Sequence, residues 1–156
     1  MIVKFAREKI RPGLPGIIVM SHGPLAMALI ETAAMVLGDS ENVAAFSVEA
    51  NDDLEEYRNA FTDAYENLPE GTVFLIDIYG GTPYNQLMQY IMHSDKEVPA
   101  VTGVNLGMLI EAISNRDSIS GVKLIDELED VAKDGIKNIS MILEAAGRSV
   151  DLRRYR

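Results

Sequence analysis

Apolar runs alternate with amphipathic stretches along most of the chain. The first run is Gly16 to Met20, GIIVM. Pro24 to Leu37 follows, closed by Gly38, with Leu25, Leu29, Ala33 and Val36 falling on one helical face. Val43 to Val48 reads as a second strand. Asn51 or Asp52 is placed to cap a helix running to Leu68, whose stripe is Leu54, Tyr57, Phe61, Tyr65 and Leu68. Thr72 to Ile76, TVFLI, is unbroken by polar residues and predicts a strand buried on both faces. Pro83 opens a helix carrying Tyr84, Leu87, Met88 and Ile91, Val98 to Thr102 is a short strand, and Leu106 to Arg116 is a fourth helix. Strands alternating with helices predict an α/β fold with a parallel sheet covered by helices. The last third departs from this rhythm. Ser120 to Asp134 has helical spacing and stops at Gly135, and Ile136 to Ser140 reads as a fifth strand or a helix extension.

Composition narrows the classes. At 156 residues the chain is one domain, and 47% apolar content excludes disorder as its main state. No cysteine is present, so thiol nucleophiles and thiolate metal sites are excluded. Two histidines, His22 and His93, leave little for a histidine-rich metal site, and neither a metal nor a cofactor is expected. No run reaches the ~18 apolar residues of a membrane span, and the opening MIVKFAREKIRPG is unlike a secretory signal. A cytoplasmic protein is expected. The eight methionines read as core filling.

Charge changes the picture once it is placed. The net charge is −10, but residues 1–12 and 148–156 each carry +3, which leaves the body at −16. An acidic body argues against nucleic acid and suits a basic protein partner. The basic ends either fold onto this body or stay loose.

In an open α/β sheet, ligands sit beyond the carboxyl ends of the strands. Three such ends carry unusual residues: Ser21-His22-Gly23, then Asp77 through Asn85, and then Thr102 through Gly107. His22 is the reactive group among them, since a neutral imidazole attacks phosphorus or acyl carbon. Asp77, after a buried strand, is the natural acceptor for its second ring nitrogen. The plainer alternatives are a helix-start histidine bonded to backbone and an aspartate capping a glycine turn. Ser21 and Thr82 offer hydroxyls to a phosphate oxygen, although each residue type is more often a turn or cap residue. His93 lies in a polar connection and reads as a surface residue. Neither GxxxxGK[ST] nor GxGxxG occurs, and no Lys or Arg lies between Gly13 and Tyr57. A phosphoryl group on His22 would be held by backbone N–H groups and hydroxyls, short of countercharge, unless a partner brings a cation.

These segments together resemble the IIA component of the mannose/fructose/sorbose family of the bacterial phosphoenolpyruvate-dependent sugar phosphotransferase system. The matching pieces are IIVMSHGPLA with LGDSENV, FLIDIYGGTPYN, VTGVNLGMLIEA and the closing VAKDGIKNI, within residues 16–140. The resemblance implies one IIA-type domain over 1–156, with an N-terminal extension at 1–12, a core at 13–140 and a C-terminal extension at 141–156. It implies a doubly wound, mainly parallel sheet with helices on both faces. A fifth, antiparallel strand would be swapped between the subunits of a homodimer, and Ile136–Ser140 is the segment that fits. It implies that His22 accepts a phosphoryl group from phospho-HPr and passes it to a IIB component during sugar uptake. Asp77 would orient the ring, Ser21, Gly23 and Thr82 would lie near the phosphate, and the membrane would be met only through the transporting components.

The chain differs from the family's pattern at Gly107, where proline is frequent, in the extension ahead of the first run, and in Met141–Arg156, which is not the long linker of fused members. Two other readings compete. One is the phosphocarrier subunit of dihydroxyacetone kinase, whose glycine-rich pattern is replaced here by GVNLGML. The other is a non-catalytic regulatory module that responds to phosphorylation.

Overall fold

The computed structural model describes residues 1–147. Five strands form one sheet: β1 (Ile2–Lys4), β2 (Ile17–His22), β3 (Val43–Val48), β4 (Val73–Ile76) and β5 (Ala100–Thr102). Their order is β1-β3-β2-β4-β5. The last four are parallel, and β1 alone is antiparallel, pairing Val3 with Phe46. Five helices connect and cover them, α1 (Leu25–Leu37), α2 (Leu54–Asn67), α3 (Thr82–Met92), α4 (Leu106–Asn115) and α5 (Gly121–Asp134), and a sixth, α6 (Ile139–Ala145), follows with no buried residue.

The central strands are buried on both faces, and alternate side chains serve two cores. Ile17, Val19, Ala45, Val73 and Leu75 face α1, α4 and α5, where Met108, Leu109, Leu124 and Leu128 pack. Ile18, Met20, Phe46, Phe74 and Ile76 face α2 and α3, where Tyr57, Phe61 and Leu87 pack. The expected doubly wound arrangement follows from this division. Tyr57 is fully buried, its hydroxyl donates to the Phe46 carbonyl at 3.0 Å, and burial pushes its phenol well above the usual range.

Several expectations are corrected. The antiparallel strand comes from the start of the chain. Residues 1–12 are part of the fold: β1 pairs with β3, Phe5 and Ile10 pack against the second core, Arg7 pairs with Asp63, and Arg11 pairs with Glu41 at 3.0 Å. This basic segment therefore folds onto the acidic body, whereas residues 148–156, the other basic end, lie outside the described residues. Ile136–Ser140 forms no strand. The Asn138 side chain accepts the Met141 N–H at 3.3 Å and starts α6 instead. A strand whose ladder would lie on another subunit has no partner within a single chain, so a local cap decides its shape. In α1 the buried stripe is Ala26, Ile30 and Ala33, while Leu25 and Val36 are exposed. The cap of α2 is Asp53, one residue beyond the expected pair, with Oδ1 accepting from the Glu55 and Glu56 N–H groups. Met20 and Met108 fill core, but Met35, Met92 and Met141 are exposed.

Candidate functional site

β2 ends in Ser21-His22, and its neighbour β4 stops two strand positions short, so that Asp77 follows directly beside it. The backbone N–H of Asp77 donates to the Met20 carbonyl at 3.0 Å, which extends the pairing and sets the carboxylate against His22. Asp77 Oδ2 accepts the His22 backbone N–H at 2.8 Å and lies 2.7 Å from ring Nδ1. Oδ1 accepts the Ile78 N–H at 2.8 Å. The Asp77 side chain is 7% exposed and that of His22 is 45% exposed. A carboxylate can only accept, so Nδ1 carries a proton, and in the neutral ring the lone pair is therefore on Nε2. The ring's reactive nitrogen is thus the one that Asp77 does not hold.

Nε2 lies over the turn that starts α3. A methyl group at Gly81 would sit 2.6 Å from His22 Cε1 and 3.3 Å from Nε2, so only glycine leaves the ring its place. The first turn of α3, opened by Thr82 and Pro83, presents unbonded N–H groups, the electropositive end of the helix. Thr82 lines the hollow beside His22, together with Val48, Glu49, Asn51, Asp52 and Leu54, and the hollow measures about 570 Å³. Asp52 hydrogen-bonds to the Met1 amine at 2.8 Å and accepts the Glu49 N–H at 2.7 Å; both contacts, the amine first, hold its carboxyl below the usual range.

The structure brings His22, Asp77, Gly23 and Thr82 to one rim and sets Ser21 apart. Ser21 is fully buried: its Oγ accepts the Ala26 N–H at 2.8 Å and pairs with Ser47 Oγ at 3.1 Å. It satisfies the start of α1 from below the rim and does not face the hollow, contrary to the expected phosphate contact. The Gly23 N–H is also engaged, donating to the Val48 carbonyl at 2.9 Å, and the φ of +54° at Gly23 makes the tight turn into α1. Two contributors went unassigned in the sequence. Gly81 had a signal, the Gly-Gly pair, but its steric reason needs the ring position. Ser47 had none, since a serine in an apolar strand does not reveal its cross-strand neighbour. His93 is exposed, with Nδ1 2.7 Å from the Gln89 carbonyl, and takes no part in the site.

The rim carries an apolar fringe and much negative charge. Leu25, Leu54, Ile78 and Tyr79 are exposed around it, and the Tyr79 and Tyr84 rings stand 4.9 Å apart. Glu49 and Asp52 line one side, and Asp53, Glu55 and Glu56 follow at the cap and first turn of α2. The three strand-end segments contain neither Lys nor Arg. Among the described residues no cluster of three His, Asp or Glu side chains is placed to hold a metal, and no helix is long and apolar enough to cross a membrane.

Residues 16–129 match the family model described as the PTS system fructose IIA component, where PTS is the sugar phosphotransferase system. The fructose-specific EIIA component of Bacillus subtilis (strain 168) is 29% identical over 130 residues, covering 82% of this chain and 88% of the relative. The mannose-specific EIIAB component of Escherichia coli (strain K12) is 30% identical over 125 residues, which are 78% of this chain but 38% of that longer protein. Among solved structures, the phosphotransferase system component EIIA of Streptococcus agalactiae superposes with a TM-score of 0.73 at 26% identity, covering 81% of this chain and 98% of that one.

Proposed function

The chain belongs to the family of fructose-type IIA components of the sugar phosphotransferase system, and from that premise we propose that His22 is the residue on which it carries the phosphoryl group. IIA components of this system are phosphotransferases in sugar uptake and work with HPr and a IIB component. In this reading His22 Nε2 attacks the phosphorus of phosphohistidine on HPr. The nitrogen–phosphorus bond on the donor breaks as the new one forms, and the step reverses onto IIB. Asp77 keeps the proton on Nδ1 and the ring in place, so that the lone pair of Nε2 points outward. The first turn of α3 and the Thr82 hydroxyl face the developing charge. No Lys or Arg of the strand-end segments neutralises the phosphoryl group, which favours passing it on and leaves a docked partner to supply a cation. The acidic side and the apolar fringe around His22 suit a partner with a basic-rimmed apolar patch.

The observation that carries this reading is the single carboxylate fixed on Nδ1 of a half-exposed imidazole at the sheet's carboxyl end. Intact-mass measurement after incubation with phosphoenolpyruvate, enzyme I and HPr tests it. One acid-labile phosphate is expected on the wild type and none on His22→Ala. Equal labelling of both would overturn the assignment.

The protein is further proposed to act as a homodimer. Ile136, Ile139, Met141 and Ile142 form an exposed apolar run beyond α5, and β5 leaves one sheet edge uncovered. Sedimentation at micromolar concentration should give twice the chain mass; a single-chain mass would exclude the dimer.

A further inference from the structure

The end of the sheet opposite His22 holds a charge without a partner. α4 ends at Asn115, and Arg116 turns inward beneath the starts of β2 and β3. The residue is 4% exposed. Both of its hydrogen bonds come from Nη1, to the Pro15 carbonyl at 3.2 Å and the Asn42 carbonyl at 3.4 Å. The Asn42 carbonyl already accepts the Ile17 N–H at 2.9 Å. Nε is buried and unbonded, and among the described residues no carboxylate forms an ion pair with this guanidinium. Burial holds it below the usual arginine range. A buried guanidinium has five donors to satisfy and is costly without an anion.

Arg116 lines an open hollow of about 520 Å³, within the size range of small-molecule sites. Arg11, Glu70, Asp117, Ser118 and Ser120 line it too. Arg116 Nη2 has no hydrogen-bond partner among the described residues, and Arg11, whose Nη1 is held by Glu41 at 3.0 Å, keeps its other side-chain donors for a phosphate. The two carboxylates of Glu70 and Asp117 would repel a bare anion, but they accept from the hydroxyls of a polyol, and the two serine hydroxyls can both donate and accept there. The hollow is a full strand length from His22, so its chemistry is separate from phosphoryl transfer. From this juxtaposition we infer that the hollow binds a phosphorylated polyol of about hexose size, with its phosphate toward Arg116 and Arg11 and its hydroxyls toward Glu70, Asp117 and the two serines. A site of this kind would let a sugar phosphate report on the same protein that feeds its formation.

The test is titration of the full chain with glucose 6-phosphate, followed by backbone amide NMR. Inorganic phosphate and glucose serve as separate probes. Saturable shifts are expected at residues 11–14 and 116–120, equally in the wild type and in His22→Ala, so that this result stands apart from any binding at His22. Arg11→Gln should weaken binding at least about tenfold, and Ser118→Glu, which places an anion in the hollow, should abolish it. Both positions are exposed, so the fold is kept, and circular dichroism checks that. Absence of saturable shifts at those residues, or equal affinity in both variants, would overturn the site. Inorganic phosphate binding as tightly as glucose 6-phosphate would overturn the polyol assignment.

Discussion

Asp77 gives one oxygen to two donors of the same residue, the backbone N–H and ring Nδ1 of His22. Strand end and imidazole are thereby fixed together, and the ring does not depend on side-chain packing for its direction. Asp77→Asn puts an amide where both donors look for an acceptor and disturbs the tautomer. Phosphoryl uptake should fall about 10- to 100-fold while the fold remains, as read by the initial rate of labelling. Gly81→Ala acts from the other side of the ring. Its methyl would lie 2.6 Å from Cε1, and the imidazole must swing away. A displacement of that kind should cost about 100-fold in rate, with His22 ring signals shifted in the NMR spectrum and stability little changed. At this scale His22 and Asp77 were legible because strand-end polar residues after apolar runs stand out. The buried position of Ser21 was not legible. A strand alternates faces every residue, and which of two adjacent polar side chains looks outward is settled by the neighbouring strand, here through Ser47.

Elements were legible where period and length agreed. β2, β3, β4, α2 and α3 sit where apolar runs and stripes placed them. α1 was found, but its buried face was misread. With almost every residue apolar, the sequence LAMALIETAAMVL offers several stripes, and the sheet selects the small residues Ala26 and Ala33 that let the helix approach. β1 was missed because three residues among charges have no readable period, and its stability comes from β3 and from Phe5 on Phe46. Gly107 is a second element-scale departure. It lies in the first turn of α4, whose cap is Asn105 accepting the Met108 N–H at 2.8 Å. Its conformation is not left-handed, and an added methyl would meet only Asn105 Oδ1 at 3.6 Å. Gly107→Ala should therefore stabilise the protein by about 0.5–1 kcal/mol in denaturant unfolding, with phosphoryl uptake unchanged. A loss of stability would mean that the turn needs the freedom of glycine.

The whole molecule is a strongly acidic body, −16 between its basic ends, and its three strand-end segments carry neither lysine nor arginine. Steering by opposite charge should make uptake from HPr fall as salt rises from low to physiological strength, because exposed charges are screened beyond ~8–10 Å there. A rate independent of salt at limiting donor would show that apolar contact alone brings the partners together. The direction of β1 has a practical consequence for anyone handling the protein. Because this strand runs antiparallel to β3, Met1, just ahead of it, lies beside Glu49 and Asp52, which line the His22 hollow. An affinity tag or fluorescent reporter joined ahead of Ile2 would hang over the His22 hollow, where the proposed phosphoryl transfer needs a partner to dock. A handle placed there would mimic an inhibitor, and a loss of activity in such a fusion would say nothing about the enzyme.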